Sequence, residues 1–353
     1  MPLSPARLAA FDILRKVELG GYAGDLLTAS SATLDPRDAA LASQLVFGCL
    51  RYQAQLDYLL ELYIGRPRKL DREVRIALRM GIFQVRYLER IPPHAAVDES
   101  VDLVRRARKS SAAGFVNAVL RKANRDPLEW PRREVALSCP EWLLDGWERR
   151  YGRDIAEGIA AAALTEPEKY YRGGRMQDIG SQSIVPLLDL ARGQTFLDLC
   201  AAPGNKTAQA LESGVRAIAC DLHFHRLEPV RELGCPTVVL DGTQPLPFAG
   251  TFERILVDAP CSGTGTLVRN PEIKWRLRPS DLDDLGRRQR SLLANARAAL
   301  APGGRLVYST CSLELEENQD VVATVPPELV VETMQRIPGR DPGDGFFAAV
   351  IRG

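Results

Sequence analysis

Apolar residues recur every three or four positions from residue 6 to about residue 124, a spacing typical of helices that bury one face. Glycine or proline interrupts the pattern at intervals, which predicts several separate helices. This part of the chain is therefore predicted to be an all-α bundle. Its expected core positions are Leu8, Phe11, Leu14, Val17, Leu41, Leu45, Phe47, Leu50, Leu56, Leu59 and Leu60.

One predicted helix of this bundle, residues 72–90, carries five arginines on a single edge. At about 100° per residue their side chains fall within an arc of roughly 60°, and most other positions of the helix are apolar. Such an edge suits phosphate oxygens, because guanidinium groups give them paired hydrogen bonds, although a solvated edge without a ligand is the alternative. The five are Arg72, Arg75, Arg79, Arg86 and Arg90.

Residues 127–178 are rich in proline, tryptophan and charge, with helical stretches at 141–151 and 155–164, and are predicted to connect two domains. From residue 179 to residue 353 apolar strands alternate with helices, which indicates a parallel α/β sheet. The helix before the fifth strand is predicted to begin with Ser280 as its N-cap. The predicted strands are 195–200, 215–221, 237–241, 254–258, 305–310, 328–333 and 346–351.

The composition is that of a soluble globular protein, because 45% of the 353 residues are hydrophobic and 26% are charged. No apolar run approaches the roughly 18 residues that span a bilayer, and charged residues precede any signal-peptide core, so a cytoplasmic location is expected. The net charge is only +1, but the predicted helical domain, residues 1–126, holds 20 lysines and arginines against 14 acidic residues. This excess favours an anionic partner such as nucleic acid.

Seven cysteines are scattered along the chain without the paired spacing of a zinc site or a disulfide framework. Cys220, His223 and His225 lie close together in sequence, but a fourth ligand is not near them. No metal site is therefore predicted.

Residues 198–207 read Asp-Leu-Cys-Ala-Ala-Pro-Gly-Asn-Lys-Thr, a strand that opens through small residues into a helix. Asn205 stands where a Walker A loop requires glycine, and the dinucleotide pattern G-x-G-x-x-G does not occur there. The cofactor loop, residues 200–206, is therefore predicted to bind a nucleoside such as S-adenosylmethionine. Asp221, at the end of the next strand, can accept hydrogen bonds from ribose hydroxyls. Asp241 ends the third strand and can reach the adenine or simply close an Asp-Gly turn.

Two cysteines follow neighbouring predicted strands, in Asp258-Ala-Pro-Cys261-Ser-Gly-Thr-Gly and in Ser309-Thr-Cys311-Ser312. A cysteine in apolar sequence is usually a small buried core residue. Ligands of parallel sheets, however, bind beyond the carboxyl ends of the strands. We therefore expect both thiols to face one cleft beside the cofactor loop, exposed and with lowered pKa values.

These motifs, with Glu316-Glu317-Asn318 after the second cysteine, resemble the RsmB/Sun (Sun/Nol/Nop) family of RNA cytosine-5 methyltransferases in order and spacing. Asn117-Ala-Val-Leu-Arg121 and Pro93-His-Ala-Ala-Val97 resemble the helical domain of the antitermination factor NusB. The resemblance implies an all-α NusB-like RNA-binding domain followed by an α/β Rossmann-like class I SAM-dependent methyltransferase domain. This pairing of domains is similar to the bacterial subgroup that acts on small-subunit ribosomal RNA, so RNA is the implied partner and S-adenosylmethionine the implied cofactor.

The resemblance also implies roles for single residues. Carbon 5 of cytosine is a weak nucleophile, so a thiolate must first add to carbon 6, and Cys311 is assigned to that attack. Cys261 is assigned to product release and Asp258 to the N3 and amino edge of the base. Arg269 is a further candidate for RNA contact, beside the five arginines of the helical domain. The implied cofactor site comprises Cys200, Ala201, Ala202, Pro203, Gly204, Asn205, Lys206, Asp221, Asp241 and Asp258.

Two departures from the family pattern are visible. Asn205 replaces the usual glycine, and only about 25 residues lie between Gly152 and Gln177, where the family carries an α/β RNA-binding segment. Two alternative functions stay open. One is a DNA cytosine-5 methyltransferase in which Cys261 is the nucleophile, and the other is an RNA-binding or assembly protein that has lost turnover.

Overall fold

The computed structural model describes residues 3–66 and 68–353 and divides into two compact units. The first unit comprises the chain up to Asp145 together with Asn270–Arg276. The second comprises Gly146–Arg269 and Leu277–Gly353. The helical unit thus extends past the predicted boundary at residue 126 and includes a short segment from the C-terminal half of the chain.

The first unit is helical, as the sequence predicts. The apolar faces of its helices share one core in which Phe11, Leu45, Leu59 and Met80 are buried. Across both units the described helices are α1 (Pro5–Val17), α2 (Ala23–Ser31), α3 (Pro36–Arg51), α4 (Gln53–Ile64), α5 (Arg72–Tyr87), α6 (Pro93–Arg106), α7 (Ala113–Leu120), α8 (Arg133–Ala136), α9 (Glu141–Tyr151), α10 (Arg153–Ala162), α11 (Ile179–Gln182), α12 (Asn205–Leu211), α13 (Glu228–Arg231), α14 (Ile273–Arg276), α15 (Pro279–Ala298) and α16 (Gln319–Val322).

Local signals in the sequence set several helix ends of this unit. Asp35 caps α3 because its carboxylate accepts the backbone N–H groups of Arg37 and Asp38 at 2.8 and 3.0 Å. Gly65 ends α4 with φ of 74°, a left-handed conformation that favours glycine.

The second unit is built on a seven-stranded sheet, with a separate hairpin before it. The strands are β1 (Tyr171–Arg172), β2 (Arg175–Met176), β3 (Thr195–Asp198), β4 (Arg216–Asp221), β5 (Thr237–Val239), β6 (Phe252–Asp258), β7 (Leu300–Thr310), β8 (Val330–Arg336) and β9 (Phe346–Arg352). The order in the sheet is β5-β4-β3-β6-β7-β9-β8, and β3 to β7 pair in parallel. The connection between β8 and β9 is too short for a parallel crossover, so both of those strands pair antiparallel.

Strand order reverses between β3 and β6, since β4 lies outside β3 on one side and β7 lies outside β6 on the other. Loops that leave the carboxyl ends of β3 and β6 therefore diverge and open a crevice, which is where doubly wound sheets bind ligands. One face of the sheet packs against Leu292, Leu293 and Ala296 of α15. The other face packs against Ile184 and Leu188.

Two sequence predictions about this unit are wrong in detail. The helix α15 begins at Pro279, and its N-cap is Arg278, whose backbone N–H donates to Asp281 Oδ2 at 2.9 Å, so Ser280 lies inside the first turn. Strand β7 begins at Leu300 rather than at the predicted residue 305, because residues 301–304 form a bulge and Leu300 still pairs with β6.

Candidate active site

The two motif cysteines lie where β6 and β7 end side by side. The strand register pairs Asp258 with Ser309, so the chain leaves both strands at the same level of the sheet. The Sγ atoms of Cys261 and Cys311 are 3.4 Å apart, and both side chains are half-buried. The sequence predicted that the two sulfurs would face one cleft, and they adjoin each other at the carboxyl edge of the sheet.

The environment of Cys261 favours its thiol form. The hydrogen bond with Cys311, burial, and the negative charges of Cys311 and Glu317 raise the pKa of Cys261 well above its ordinary value. The expectation of a lowered pKa is therefore wrong for Cys261, because a second sulfur and a carboxylate face its sulfur.

Asp258 is held at both carboxylate oxygens. Lys206 Nζ lies 2.7 Å from Oδ2, and the hydroxyl of Ser309 donates to Oδ1 at 2.8 Å. The Lys206 side chain is largely buried, so its ion pair with Asp258 is screened less than a surface pair. These contacts join the first turn of α12 to the ends of β6 and β7. The sequence named Lys206 and Asp258 as candidates and missed Ser309.

The cofactor loop turns tightly between β3 and α12. Within it, the Ala201 N–H donates to the carbonyl of Cys220 on β4, and the Gly204 N–H donates to the carbonyl of Ala201, each at 2.7 Å. Ala202 and Pro203 complete the turn. Gly204 has φ of 102°, which favours glycine at this position.

Below this loop, Asp198 is buried at the end of β3. The hydroxyl of Thr207 donates to its Oδ2 at 2.7 Å, whereas Oδ1 has no hydrogen-bond partner among the residues that the structure describes. Burial raises the pKa of Asp198 to about 7. An unsatisfied carboxylate oxygen beneath a loop of small residues is a feature expected of a ligand-binding site.

Two further predicted cofactor residues, Asp221 and Asp241, differ from each other in burial. Asp221 is 5% exposed at the end of β4, where its Oδ1 accepts the backbone N–H of His223 at 2.9 Å. Asp241 is exposed, and its Oδ1 accepts both the N–H and the hydroxyl of Thr243, which lowers its pKa. The sequence left two roles open for Asp241, and these contacts show that it closes the turn.

Asn205, which departs from the family pattern, joins α12 to the β1–β2 hairpin. Its amide nitrogen donates to the carbonyl of Met176 at 3.1 Å. The hairpin is also tied to α12 by Gln177, which donates to Gln209 at 3.0 Å, and by an ion pair of 2.6 Å between Arg172 and Glu212. Glycine at position 205 could not form the first of these contacts.

Comparison with known proteins identifies both parts of the chain. The 16S rRNA methyltransferase RsmB/F family matches residues 185–352, and the NusB family matches residues 4–125. The ribosomal RNA small subunit methyltransferase B of Cronobacter sakazakii is 31% identical over 419 aligned positions, which cover 98% of this chain and 97% of that protein. The chain belongs to the RsmB/F methyltransferase family.

A second relative agrees with this assignment. The probable ribosomal RNA small subunit methyltransferase B of Bacillus subtilis is 31% identical over 394 positions, covering 91% of this chain and 88% of that protein. Both alignments exceed the 353 residues of this chain, so these family members contain segments that it lacks.

Solved structures show the same fold. The crystal structure of PH0851 superposes with a TM-score of 0.81 at 20% identity, over 100% of this chain and 99% of that protein. A methyltransferase homologue from Pyrococcus horikoshii has a TM-score of 0.51 at 21% identity, over 62% of this chain and 97% of that protein.

The cofactor of the family is S-adenosylmethionine. The residues at the ends of β3 and β4 fit this molecule on two observations. The free Oδ1 of Asp198 lies beneath the small-residue loop, and the largely buried carboxylate of Asp221 lies where a ribose can be bound. Asp198 is a residue that the sequence prediction left out of the cofactor site.

The predicted arginine edge of α5 is opposed by carboxylates from other helices. Glu18, just after α1, forms ion pairs of 3.1 to 3.4 Å with Arg72, Arg75 and Arg79. Arg79 also gives Asp57 two hydrogen bonds of 2.6 and 2.7 Å and is only 8% exposed. Arg79 is therefore not on an open ridge, and the helical period of α5 could not reveal the carboxylates that face it.

The remaining candidates for RNA contact differ among themselves. Arg86 donates to the backbone carbonyls of Asn124 and Asp126 at 3.3 and 3.0 Å, whereas Arg90 is exposed. The predicted helix 72–90 is wrong at its end, because α5 ends at Tyr87 and Arg90 lies beyond it. RNA binding by the arginine edge stays a prediction.

Arg269 joins three segments of the second unit. Its guanidinium lies 2.5 Å from Asp178 and 2.9 Å from Asp344, and it also donates to the carbonyl of Glu168 at 2.8 Å. These contacts give Arg269 a structural role, and its predicted contact with RNA is untested.

The sequence prediction missed Glu317, which lies behind the two cysteines. Glu317 is fully buried and accepts hydrogen bonds from Ser262 and Ser312, the residues directly after the two cysteines. The only signal in the sequence was the position of Glu317 in the Glu-Glu-Asn stretch that contributed to the family resemblance.

No described helix is long and apolar enough to cross a membrane. Within the described ranges, His, Cys, Asp and Glu side chains form no group of three or more that could hold a metal ion. All seven cysteines are free thiols.

Proposed function

We propose that this protein transfers a methyl group from S-adenosylmethionine to carbon 5 of a cytosine in small-subunit ribosomal RNA. The observation that carries the proposal is the pair of sulfur atoms of Cys261 and Cys311, 3.4 Å apart beside the Lys206–Asp258 ion pair. The names of the family and of its curated members support the ribosomal substrate.

The first step uses Cys311 as the nucleophile. Its thiolate adds to carbon 6 of the cytosine, a carbon–sulfur bond forms, and the electron pair of the 5,6 double bond moves toward carbon 5. Asp258 faces the N3 and amino edge of the base and stabilises the charge that develops there, with its orientation fixed by Lys206 and Ser309. S-adenosylmethionine, when bound, supplies the methyl group to carbon 5.

The second step needs a base that removes the carbon 5 proton. Cys261 lies beside the nucleophile and has this role. While Cys311 is free, its hydrogen bond and charge raise the pKa of Cys261. Once the Cys311 sulfur is bonded to carbon 6 it carries no charge, so the pKa of Cys261 falls and its thiol proton passes to solvent, which leaves a thiolate. The carbon 5 proton passes to Cys261, the 5,6 double bond re-forms, and the electrons of the carbon–sulfur bond return to Cys311.

The target base must leave its stack to reach Cys311, at a cost of a few kcal/mol in a paired region and less in a loop or an incompletely folded RNA. This requirement favours an RNA that is not yet in its final structure.

Methyl transfer from labelled S-adenosylmethionine to small-subunit RNA tests the chemistry. Cys311→Ala should abolish transfer, and Cys261→Ala should form the covalent complex with RNA but fail to release it. Cys235→Ala is the matched control, because Cys235 is a half-buried cysteine of the same unit, outside the predicted site. Transfer by Cys311→Ala at near the wild-type rate would overturn the assignment of the nucleophile.

Trapping on RNA and DNA that contain 5-fluorocytosine separates the alternatives. An adduct through Cys311 on RNA supports the proposal, whereas an adduct through Cys261 on DNA supports the DNA-type mechanism. If calorimetry shows no binding of S-adenosylmethionine, the non-catalytic alternative is correct. Bisulfite sequencing of ribosomal RNA from cells with and without the gene identifies the modified cytosine.

A further inference from the structure

Glu317 is a carboxylate enclosed completely by neutral hydrogen-bond donors. The side chain is 0% exposed. Its Oε1 accepts the backbone N–H of Ser262 at 2.8 Å and the amide N–H of Gln289 at 3.0 Å, and its Oε2 accepts the hydroxyls of Ser262 and Ser312. Among the described residues, none of the ion pairs includes Glu317. Four donors therefore satisfy the carboxylate without a cation.

The donors come from the two loops that carry the cysteines. Ser262 is the residue after Cys261, and Ser312 is the residue after Cys311, so one carboxylate is bonded to both loops. The two serine hydroxyls are themselves 3.1 Å apart. Gln289 of α15 adds a third contact, because its amide also donates to the carbonyl of Pro260 at 2.8 Å.

The backbone around Glu317 is fixed as firmly as its side chain. The hydroxyl of Tyr308 on β7 donates to the Glu317 carbonyl at 2.6 Å. The neighbouring Asn318 accepts the hydroxyl of Thr310 at 2.5 Å and donates to the carbonyl of Ser312 at 2.9 Å. Glu317 is thus anchored to the strand that ends at Cys311 while it binds the loop of Cys261.

We propose that Glu317 is the positioning residue that sets the separation of the Cys261 and Cys311 sulfurs, by joining the two cysteine loops through Ser262 and Ser312. The separation itself is independent of any substrate. Its catalytic meaning rests on the proposed function, since both sulfurs must reach the same base, one at carbon 6 and the other at the carbon 5 proton.

The negative charge of Glu317 also affects the ionisation of the Cys261 thiol. The groups that face Cys261 are the Cys311 sulfur, the Glu317 carboxylate and the Tyr308 phenol. A negative charge beside Cys261 opposes ionisation of this thiol and raises its pKa. Glutamine at position 317 retains hydrogen-bonding capacity, since the serine hydroxyls can rotate to accept its N–H, but removes this charge.

The separation of the sulfurs can be measured without RNA or S-adenosylmethionine. Phenylarsine oxide bridges two thiols only where their sulfur atoms lie close together, and mass spectrometry of the intact protein counts the bridged pairs. The wild-type protein should bind one equivalent that the Cys261→Ser/Cys311→Ser double variant does not bind. Glu317→Ala should lose this equivalent, whereas Glu317→Gln should keep it.

Two variants keep the proposal testable if Glu317→Ala does not fold. Ser312→Ala removes one of the two connections with almost no change of volume and should slow arsenical bridging severalfold. Glu316→Gln is the matched control, because this neighbouring side chain makes no hydrogen bond to the cysteine loops within the described residues. Bridging at the wild-type rate in a folded Glu317→Ala protein would overturn the proposal.

Methyl-transfer kinetics then connect the geometry to catalysis. Glu317→Ala should lower kcat about 100-fold, as expected for a misplacement of reacting groups, with little change of KM for S-adenosylmethionine. Glu317→Gln should recover most of this loss, and the pH at which Cys261 is half-alkylated by iodoacetamide should fall. Loss of bridging in Glu317→Ala alongside an inactive wild-type protein would retain the positioning role and reject the proposed function, whereas full activity without bridging would reject the role.

Discussion

Lys206 Nζ lies 2.7 Å from Asp258 Oδ2, and this ion pair spans the place where the strand order of the sheet reverses. Lys206 belongs to the cofactor loop after β3, and Asp258 ends β6, the strand that leads to Cys261. A predicted cofactor residue is therefore bonded to the residue that we propose contacts the cytosine. A change at either one should disturb both halves of the site.

Ser309→Ala tests how much the orientation of Asp258 contributes. The hydroxyl of Ser309 donates to Asp258 Oδ1 at 2.8 Å, and its loss frees one side of the carboxylate. We expect kcat/KM for methyl transfer to fall about tenfold, which corresponds to roughly 1.4 kcal/mol, the usual size of one such hydrogen bond. Ser213→Ala, on an exposed turn, is the control. A change of less than twofold at Ser309 would show that Lys206 alone orients Asp258.

Trp275→Phe tests whether the segment Asn270–Arg276 stabilises the helical unit. The indole N–H of Trp275 donates to the carbonyl of Leu50 at 2.6 Å, at the end of α3. Phenylalanine keeps an aromatic ring, although a smaller one, and leaves this carbonyl without its donor, which should cost about 1 to 2 kcal/mol. Urea denaturation should show a lower midpoint for the helical unit, and Trp142→Phe provides a comparison at a half-buried tryptophan. Equal midpoints for Trp275→Phe and the wild type would contradict the expected contribution.

Lys274 is nearly fully buried in the same segment, and burial lowers its pKa to about 8. In the unfolded chain a lysine titrates near pH 10.4, so between pH 8 and 10.4 the unfolded state binds a proton that the folded state has released. The free energy of unfolding should therefore rise with pH in this window, by up to roughly 3 kcal/mol. Lys274→Met should abolish the rise, which denaturation at pH 7, 8, 9 and 10 can measure. If the free energy of unfolding depends on pH in the same way in both proteins, the Lys274 ammonium is solvated.

The fold was predictable where a local pattern determines the structure. The last predicted strand, 346–351, differs from β9 by one residue, because a buried apolar run bounded by polar residues has few alternatives. The N-cap of α15 was not predictable, because Ser280 is the better capping residue and only the structure shows Asp281 accepting the backbone N–H of Arg278. A bulge such as that at residues 301–304 also leaves no periodic signal.

The site was predictable only as far as strand ends determine it. Parallel neighbours bring Cys261 and Cys311 together whatever their side chains do, so their proximity followed from the sequence. Glu317 gave no such signal, since its four donors come from residues that are distant in sequence or that look like ordinary loop serines. The same limit applied to Arg79, because its partner Asp57 lies on another helix and the period of α5 shows one helix at a time.

Glu314→Gln tests a buried carboxyl beside the loop of Cys311. The indole N–H of Trp147 donates to Glu314 Oε1 at 3.0 Å, and burial raises the pKa of Glu314 to about 7, whereas an unfolded glutamate titrates near pH 4.3. The stabilising effect of the protonated carboxyl is thus complete below about pH 4.3 and is lost as the pH rises through 7. Glutamine keeps an acceptor for Trp147 and does not ionise. The free energy of unfolding of Glu314→Gln should therefore exceed that of the wild type by an amount that grows between pH 5 and pH 8, to roughly 3 kcal/mol. Glu328→Gln, at an exposed carboxylate outside this cluster, should show no such trend. A constant difference across this range would mean that Glu314 is ionised throughout.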